Sequence, residues 1–276
     1  MRTSIFLCFV FITATAFARV DAKLPNGQLA YYGEEFNAKF PNITKEILFK
    51  ILNASHNSTS GKPDVLSTSC ITNCYRHTSV GYQGARKILF GELFIKKNSE
   101  GTYVEDVYCQ KKFFFKEVSD VSNMGNEVNI EHTWPQSKFS SGYDKDIQKS
   151  DLHHLYPTDS MANNRRGNFP FGDANNQTDQ LNVQNCSMSK LSRISDYFIF
   201  QPPTTHRGNV ARSLFYFATH YKMLIGPTEE MILRLWHKSD PVDEAEKARH
   251  EIIAKYQNVR NPFVDYPELV EKVSDF

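Results

Sequence analysis

The 276-residue sequence has almost no net charge, since 32 Lys and Arg against 31 Asp and Glu leave a formal +1. Such a chain cannot hold nucleic acid by bulk electrostatics, so any such contact must come from local patches. A membrane anchor is the weaker reading of the N-terminus. The one long apolar stretch, Ile5 to Phe17, is shorter than the ~20 residues that span a bilayer. With Arg2 ahead of it and small residues ending at Ala18 or Ala22, it predicts an export signal over residues 1–22, cleaved after Ala18 or Ala22. There is no internal repeat, no low-complexity tract and no mark of a second domain. Residues 23–276 therefore read as a single domain, and 40% hydrophobic and 13% aromatic content suffices for a sizeable core.

Cysteine is scarce too. Of five, Cys8 leaves with the signal, and Cys70, Cys74, Cys109 and Cys186 remain. An even set in an exported chain fits two disulfides, with the pairing open. Cys70 and Cys74 have no second close pair to complete a zinc site, so disulfides rank first. Sequons at Asn42, Asn53, Asn57, Asn176 and Asn185 fit surface glycans on an extracellular protein.

The regular elements follow from hydrophobic period. Residues 19–40 read as an extended lead-in, 44–52 (TKEILFKIL) as a helix, and 53–64 as a loop. A helix is expected over 84–93 (GARKILFGEL), followed by strands at 93–97 and 102–109. The three consecutive Phe of 111–118 (KKFFFKEV) predict a buried strand rather than an aromatic platform for bases. Residues 119–127 are turn-like, 172–190 form a long polar loop, and SDYFIFQPP is a short strand stopped by Pro202 and Pro203. Amphipathic helices are expected over 210–223 and 229–238, and a third from Asp240 and Pro241 to Tyr256. The class is α+β, with a mixed core backed by C-terminal helices.

Two segments carry chemistry. NIEHTWPQSKF (129–139) sets the carboxylate of Glu131 beside the imidazole of His132, and DLHHLYPTDSMANNRRGN (151–168) adds imidazoles, amides and an Arg pair. A carboxylate suits a hard divalent cation, and a neutral imidazole can take a proton near neutral pH. Adjacent strand residues point to opposite faces, so the pair can share a site only where the strand ends, and the strand is expected to stop there. Asp159 or Ser160 can cap a short helix over SMANNRR. Asp151 reads as a structural acceptor and Trp134 as a buried strand-end aromatic. His153 and His154 lack zinc-ligand spacing, and no HExxH motif is present. One of that pair is expected to bond within the core or to orient a site group.

EHTWPQS and DLHHLYPTDSMANNRRGN, in this order and with GARKILFGEL, DVYC and the segment from WHKSDP to LVEKV around them, resemble the endonuclease I family. These are secreted, non-specific nucleases built on a ββα-metal finger, and the likeness is to the bacterial extracellular ribonuclease branch over roughly residues 65–270. The resemblance implies a ββα-metal finger in the core, His132 as general base, and Glu131 and Asn163 as ligands of Mg²⁺, with Mn²⁺ or Ca²⁺ as substitutes. Arg166, in preference to Arg165, reads as the phosphate clamp, because a guanidinium matches phosphate oxygens in a bidentate way. The segment 138–150 is shorter than in some relatives and offers only Lys138, Lys145 and Lys149 as cations, and Ile130 stands where related sequences often have Cys. The expected partner is nucleic acid, DNA or RNA, cut by a monomer without membrane attachment. Rival readings are a zinc-dependent phosphoesterase using the His cluster, and a non-catalytic secreted glycoprotein that binds nucleic acid.

Overall fold

The second half of the N-terminal lead-in is helical rather than extended, because its aromatics have a core to enter. Helix α1 (Gly33–Lys39) carries Phe36 into the core beside Tyr31 and Tyr32, and the Phe36 ring packs 5.1 Å from Tyr266. Helix α2 (Lys45–Leu52) begins where Thr44 Oγ1 accepts the Ile47 N–H at 3.3 Å, and it buries Leu48, Ile51 and Leu52 at helical spacing. The expected 53–64 loop contains a short strand, β1 (Ser55–Asn57), which pairs antiparallel with both β2 (Val65–Ser67) and β3 (Cys74–Tyr75). The computed structural model describes residues 20–24, 26–70, 74–123, 126–174 and 179–276. The expected signal through residue 19 and the sequon at Asn176 lie outside them.

Helix α3 (Gly81–Ile88) runs into a wider π-type turn at Leu89–Leu93, and together they bury Ala85, Ile88, Leu89 and Phe90. Strands β4 (Ile95–Asn98), β5 (Gly101–Glu105) and β6 (Lys112–Phe115) then form an antiparallel sheet in that order. Strand β5 stops at Glu105, short of the expected 109. The Asp106 carboxylate takes the amides of Tyr108, Cys109 and Lys111 at 3.0, 2.7 and 2.7 Å and closes a turn instead. The Phe triplet is half-buried rather than buried, with Phe113 and Phe115 packed on the core and Phe114 40% exposed on the outer strand. A helix, α4 (Val118–Asn123), occupies part of the turn-like stretch.

A ββα unit follows. Strand β7 (Val128–His132) pairs antiparallel with β8 (Leu155–Asp159), from Val128 opposite Asp159 to His132 opposite Leu155, after helix α5 (Lys145–Ser150) has crossed between them. Helix α6 (Ser160–Arg166) leaves β8 directly, capped by Asp159, whose Oδ1 accepts the Ala162 N–H at 2.9 Å. Strands β9 (Lys190–Ile194) and β10 (Tyr197–Gln201) make a hairpin, β9 lying in a stretch whose sequence shows no strand alternation.

Helices α7 (Arg207–His220), α8 (Pro227–Ser239), α9 (Glu244–Gln257), α10 (Pro262–Asp265) and α11 (Leu269–Lys272) complete the chain. Helix α9 starts later than Asp240, at Glu244, because Asp243 is the cap, accepting the Glu246 N–H at 2.7 Å. Asp240 is occupied elsewhere. Its carboxylate takes the Gly208 N–H at 2.8 Å, and a Cβ at position 208 would lie 1.9 Å from the Asp240 carbonyl, so α7 can begin there only with glycine.

The C-terminal helices do more than cover a core. Helix α7 supplies Ser213, which donates to the His153 carbonyl at 2.8 Å, and Tyr216 and Tyr221, whose hydroxyls donate to Asp151 at 2.9 and 2.8 Å. From α9, Arg249 donates to the Leu152 carbonyl at 2.8 Å, and Gln257 pairs with the Leu152 amide and Ser150 carbonyl at 2.7 and 3.0 Å. Buried polar backbone leading into β8 is satisfied this way, which fixes the strand in register against β7. The class is α+β, as expected. Among the described residues, no helix is long and apolar enough to cross a membrane.

Candidate active site

Glu131 and His132 stand at the last two positions of β7, where the strand stops as expected. Both are buried, at 1% and 6% exposure, and they engage different neighbours. Glu131 Oε1 accepts the Tyr108 hydroxyl at 2.9 Å and lies 3.3 Å from Arg166 Nη1. Burial pushes its carboxyl pKa up, while the Arg166 guanidinium and then the Tyr108 hydroxyl pull it down. Because both donors meet Oε1, they leave Oε2 as the oxygen to offer an ion.

His132 turns its ring between Tyr82 of α3, Phe139 and His154, with centroids 6.0, 6.2 and 5.4 Å away. Its Nε2 lies 3.1 Å from the Lys149 carbonyl, which can only accept, so Nε2 carries the proton. Nδ1 is then the lone-pair nitrogen, with the Gln136 amide 3.3 Å away. Burial, with the nearby charges of Lys149 and Arg166, holds the pKa down at about 4. The imidazole is therefore neutral at neutral pH.

Asn163 lies on α6, half-buried, and its Nδ2 donates to the Ile130 carbonyl at 3.1 Å. That bond fixes which end of the amide faces the strand and leaves Oδ1 as the free donor atom. A carboxylate oxygen and an amide oxygen on adjoining elements form an oxygen-only pair, the set that Mg²⁺ prefers when it keeps several waters. The residues fit the implied metal.

Arg166 is placed differently from a surface phosphate clamp. It is 2% exposed, stacks 4.6 Å over Phe171, and gives Nη2 to the Thr133 carbonyl at 2.7 Å and Nη1 to the carbonyls of Gly167 and His132 at 3.1 and 3.4 Å. A guanidinium so engaged holds the end of β7 and the Glu131 carboxylate. Arg165 is exposed on α6. Lys149, whose charge also acts on His132, is half-buried, with Nζ 4.4 Å over the Tyr82 ring and no carboxylate partner among the described residues.

Sequence reasoning did not single out Tyr108. The signal was present in DVYC, where Asp106 folds the turn, Tyr108 reaches Glu131, and Cys109 is bridged to Cys186. The other bridge joins Cys70 to Cys74, so both disulfides are intramolecular. His153 and His154 are both core residues, with Nε2 3.2 Å from the Val259 carbonyl and 2.8 Å from the Gln148 carbonyl. Trp134 is buried as expected, its Nε1 donating to the Lys138 carbonyl at 3.0 Å and its ring stacked on Phe217.

This chain is 34% identical over 171 residues to an extracellular ribonuclease of Bacillus subtilis (strain 168), covering 55% of this chain and 56% of that protein. It is 32% identical over 163 residues to an extracellular ribonuclease of Bacillus amyloliquefaciens, covering 52% and 53%. An Endonuclease-1 of Buchnera aphidicola (subsp. Acyrthosiphon pisum, strain APS) is 26% identical over 200 residues, 62% of this chain and 76% of that protein. The chain thus spans about half the length of the two Bacillus proteins it matches. The family model for Endonuclease I matches residues 64–268, from the end of the loop after β1 to the turn before α11 and across every residue of the site, and the chain belongs to the endonuclease I family.

Proposed function

We propose that this protein is an exported, Mg²⁺-dependent endonuclease that hydrolyses phosphodiesters of DNA, RNA or both, with weak sequence preference, to leave 5′-phosphate ends. Glu131 and Asn163 would hold the ion, and His132 is the general base. The observation that carries the reading is the state of His132, whose Nε2–H is tied to the Lys149 carbonyl and whose Nδ1 holds a lone pair at neutral pH. His132 Nδ1 takes a proton from a water that attacks phosphorus in line, and the 3′ oxygen departs while phosphate stays on the 5′ side. The charge of an arriving phosphodiester raises the imidazole pKa toward neutrality, where a base works best. Bound Mg²⁺ supplies charge stabilisation to the phosphate and the leaving oxygen.

In this reading Arg166 and Tyr108 orient Glu131, and Lys149, on the His132 side and without an anionic partner among the described residues, meets the substrate phosphate. That the Bacillus relatives are extracellular ribonucleases supports RNA as a substrate and export as the destination, and the two disulfides agree with an oxidising compartment. The test is incubation of the purified protein with plasmid, single-stranded DNA and RNA, each with and without chelator. Cleavage should stop with chelator and return with Mg²⁺. Full cleavage in excess chelator overturns the mechanism, rescue by Zn²⁺ alone favours a zinc phosphoesterase, and stoichiometric binding without turnover favours a binding protein.

A further inference from the structure

Away from Glu131 and Asn163, two groups of His and carboxylate side chains among the described residues bring three ligand atoms within 4.8 Å of one another: His77 with Asp151 and His220, and His250 with Glu251 and Asp265. The second group already contains a cation. Arg260 Nη2 lies 2.5 Å from Glu251 and 2.7 Å from Asp265, and Arg260 is fully buried between them. Nothing comparable fills the first.

Asp151 is 0% exposed and has no Lys or Arg partner among the described residues. Its carboxylate is compensated by three neutral donors, the hydroxyls of Tyr216 and Tyr221 at 2.9 and 2.8 Å and the His153 amide at 3.0 Å. His77 Nδ1 and His220 Nε2 lie 2.9 Å apart. One proton lies between them, and their outward nitrogens, His77 Nε2 and His220 Nδ1, have no partner among the described residues. The pair is thus held only by its mutual bond and by ring contacts, His220 stacking on Tyr216 and meeting Tyr221 edge-on. Burial keeps both imidazoles neutral, which is the form that binds metal.

We propose that His77, Asp151 and His220 form a second metal site, for a zinc-like divalent transition cation. Two imidazoles and one carboxylate are a three-ligand zinc set that leaves a fourth position for water. Tetrahedral bonds of about 2.1 Å place ligand atoms roughly 3.3–3.4 Å apart, so the two nitrogens need to separate by only a few tenths of an ångström. The shared proton moves to an outward nitrogen on binding, and no net proton is released. His77 is half-buried in the segment between β3 and α3, so it is the ligand nearest the surface by exposure. The ion would neutralise Asp151 and tie that segment to the end of α7 and to the start of the chain that enters β8.

The experiment uses intact protein in excess Mg²⁺, which prefers oxygen ligands and so occupies the Glu131 side without competing for imidazole. Zn²⁺ is titrated by calorimetry and thermal shift, and Co²⁺ is followed by its visible spectrum. One ion per chain is expected, with a raised Tm and tetrahedral cobalt bands. His77→Gln changes a half-buried residue and should lower Zn²⁺ affinity at least ~10-fold and remove the Tm shift, leaving the metal-free Tm and Mg²⁺-dependent cleavage unchanged. His220→Gln should lose the ion equally. Absence of Zn²⁺ binding in the unmodified protein, or binding that survives either substitution, overturns the proposal. Cleavage with Mg²⁺ is a separate readout, so its loss would bear on the nuclease reading alone.

Discussion

The Tyr108 hydroxyl reaches Glu131 Oε1 at 2.9 Å from a turn that the Asp106 carboxylate and the Cys109–Cys186 bridge hold in place. The contact places a phenol on a carboxylate whose other near neighbour, Arg166, is itself locked to three backbone carbonyls. Tyr108→Phe removes the hydroxyl and keeps the ring, which packs 4.6 Å from Phe200. Loss of one buried donor should cost about 1–2 kcal/mol of stability. If Glu131 holds the ion, the Mg²⁺ concentration for half-maximal cleavage should rise ~10–100-fold, as expected for a residue that orients a ligand. An unchanged Mg²⁺ requirement would separate Tyr108 from the site.

The roles given to the two strand-end residues differ in what their loss removes. Glu131→Ala takes away a charged oxygen ligand and should weaken Mg²⁺ binding and activity together. His132→Ala leaves both proposed ligands, so Mg²⁺ should still bind while turnover falls ~10²–10⁴-fold. Added imidazole should restore part of it. Metal titration, Tm and rate on the two variants decide, and near-normal turnover by folded His132→Ala would sink the general-base assignment.

Hydrophobic period made the long elements legible, since α2, α3, α7 and α8 each present an apolar face, and the paired motifs placed the β7–β8–α6 unit. What period could not reveal was structure held by tertiary partners. Helix α1 forms because Tyr31, Tyr32 and Phe36 meet a core supplied from residues far down the chain, including Tyr266. Strand β9 exists because β10 pairs with it. Arg166 was read as a phosphate clamp because a guanidinium matches phosphate oxygens, and a residue type does not disclose that this one is buried and donates to the carbonyls of the strand end. Tyr108 was missed for the converse reason, because a tyrosine 23 residues from Glu131 in sequence gives no local signal.

Lys149 offers a test of the substrate side. Its carbonyl holds His132 whatever the side chain, while its amine lies over Tyr82 without a carboxylate partner among the described residues. Lys149→Met should therefore keep the His132 bond and lose one phosphate contact. The slope of log(kcat/KM) against log salt should become shallower by about one unit, with KM rising more than kcat falls. An unchanged salt slope would remove Lys149 from the phosphate path.

Acid should destabilise the protein before its carboxylates titrate. His206 is buried without a partner for Nε2, and burial, together with the charges of Arg249 and Arg212, holds its pKa down at about 3. His237 and His132 are held down at about 4, and His153, His154 and His220 lie well below the ordinary value. For each, the unfolded chain takes up a proton as pH falls through ~6.5, while the folded chain does not until near its depressed pKa. Stability is therefore full above pH ~6.5 and is lost on the way down toward about 4, each histidine contributing up to ~1.4 kcal/mol per pH unit. Glu131 and Asp106, whose carboxyls burial pushes up, act in the opposite sense, gaining stability as pH falls through their raised pKa. His206→Phe keeps an aromatic ring against Tyr156 and removes one titrating group. Denaturant midpoints from pH 7.5 to 5 should fall steeply for the unmodified protein and less steeply for His206→Phe, by up to one proton in the linkage slope. Parallel curves would mean that His206 takes up its proton in the folded state over the same pH range as in the unfolded chain, against the burial that isolates it.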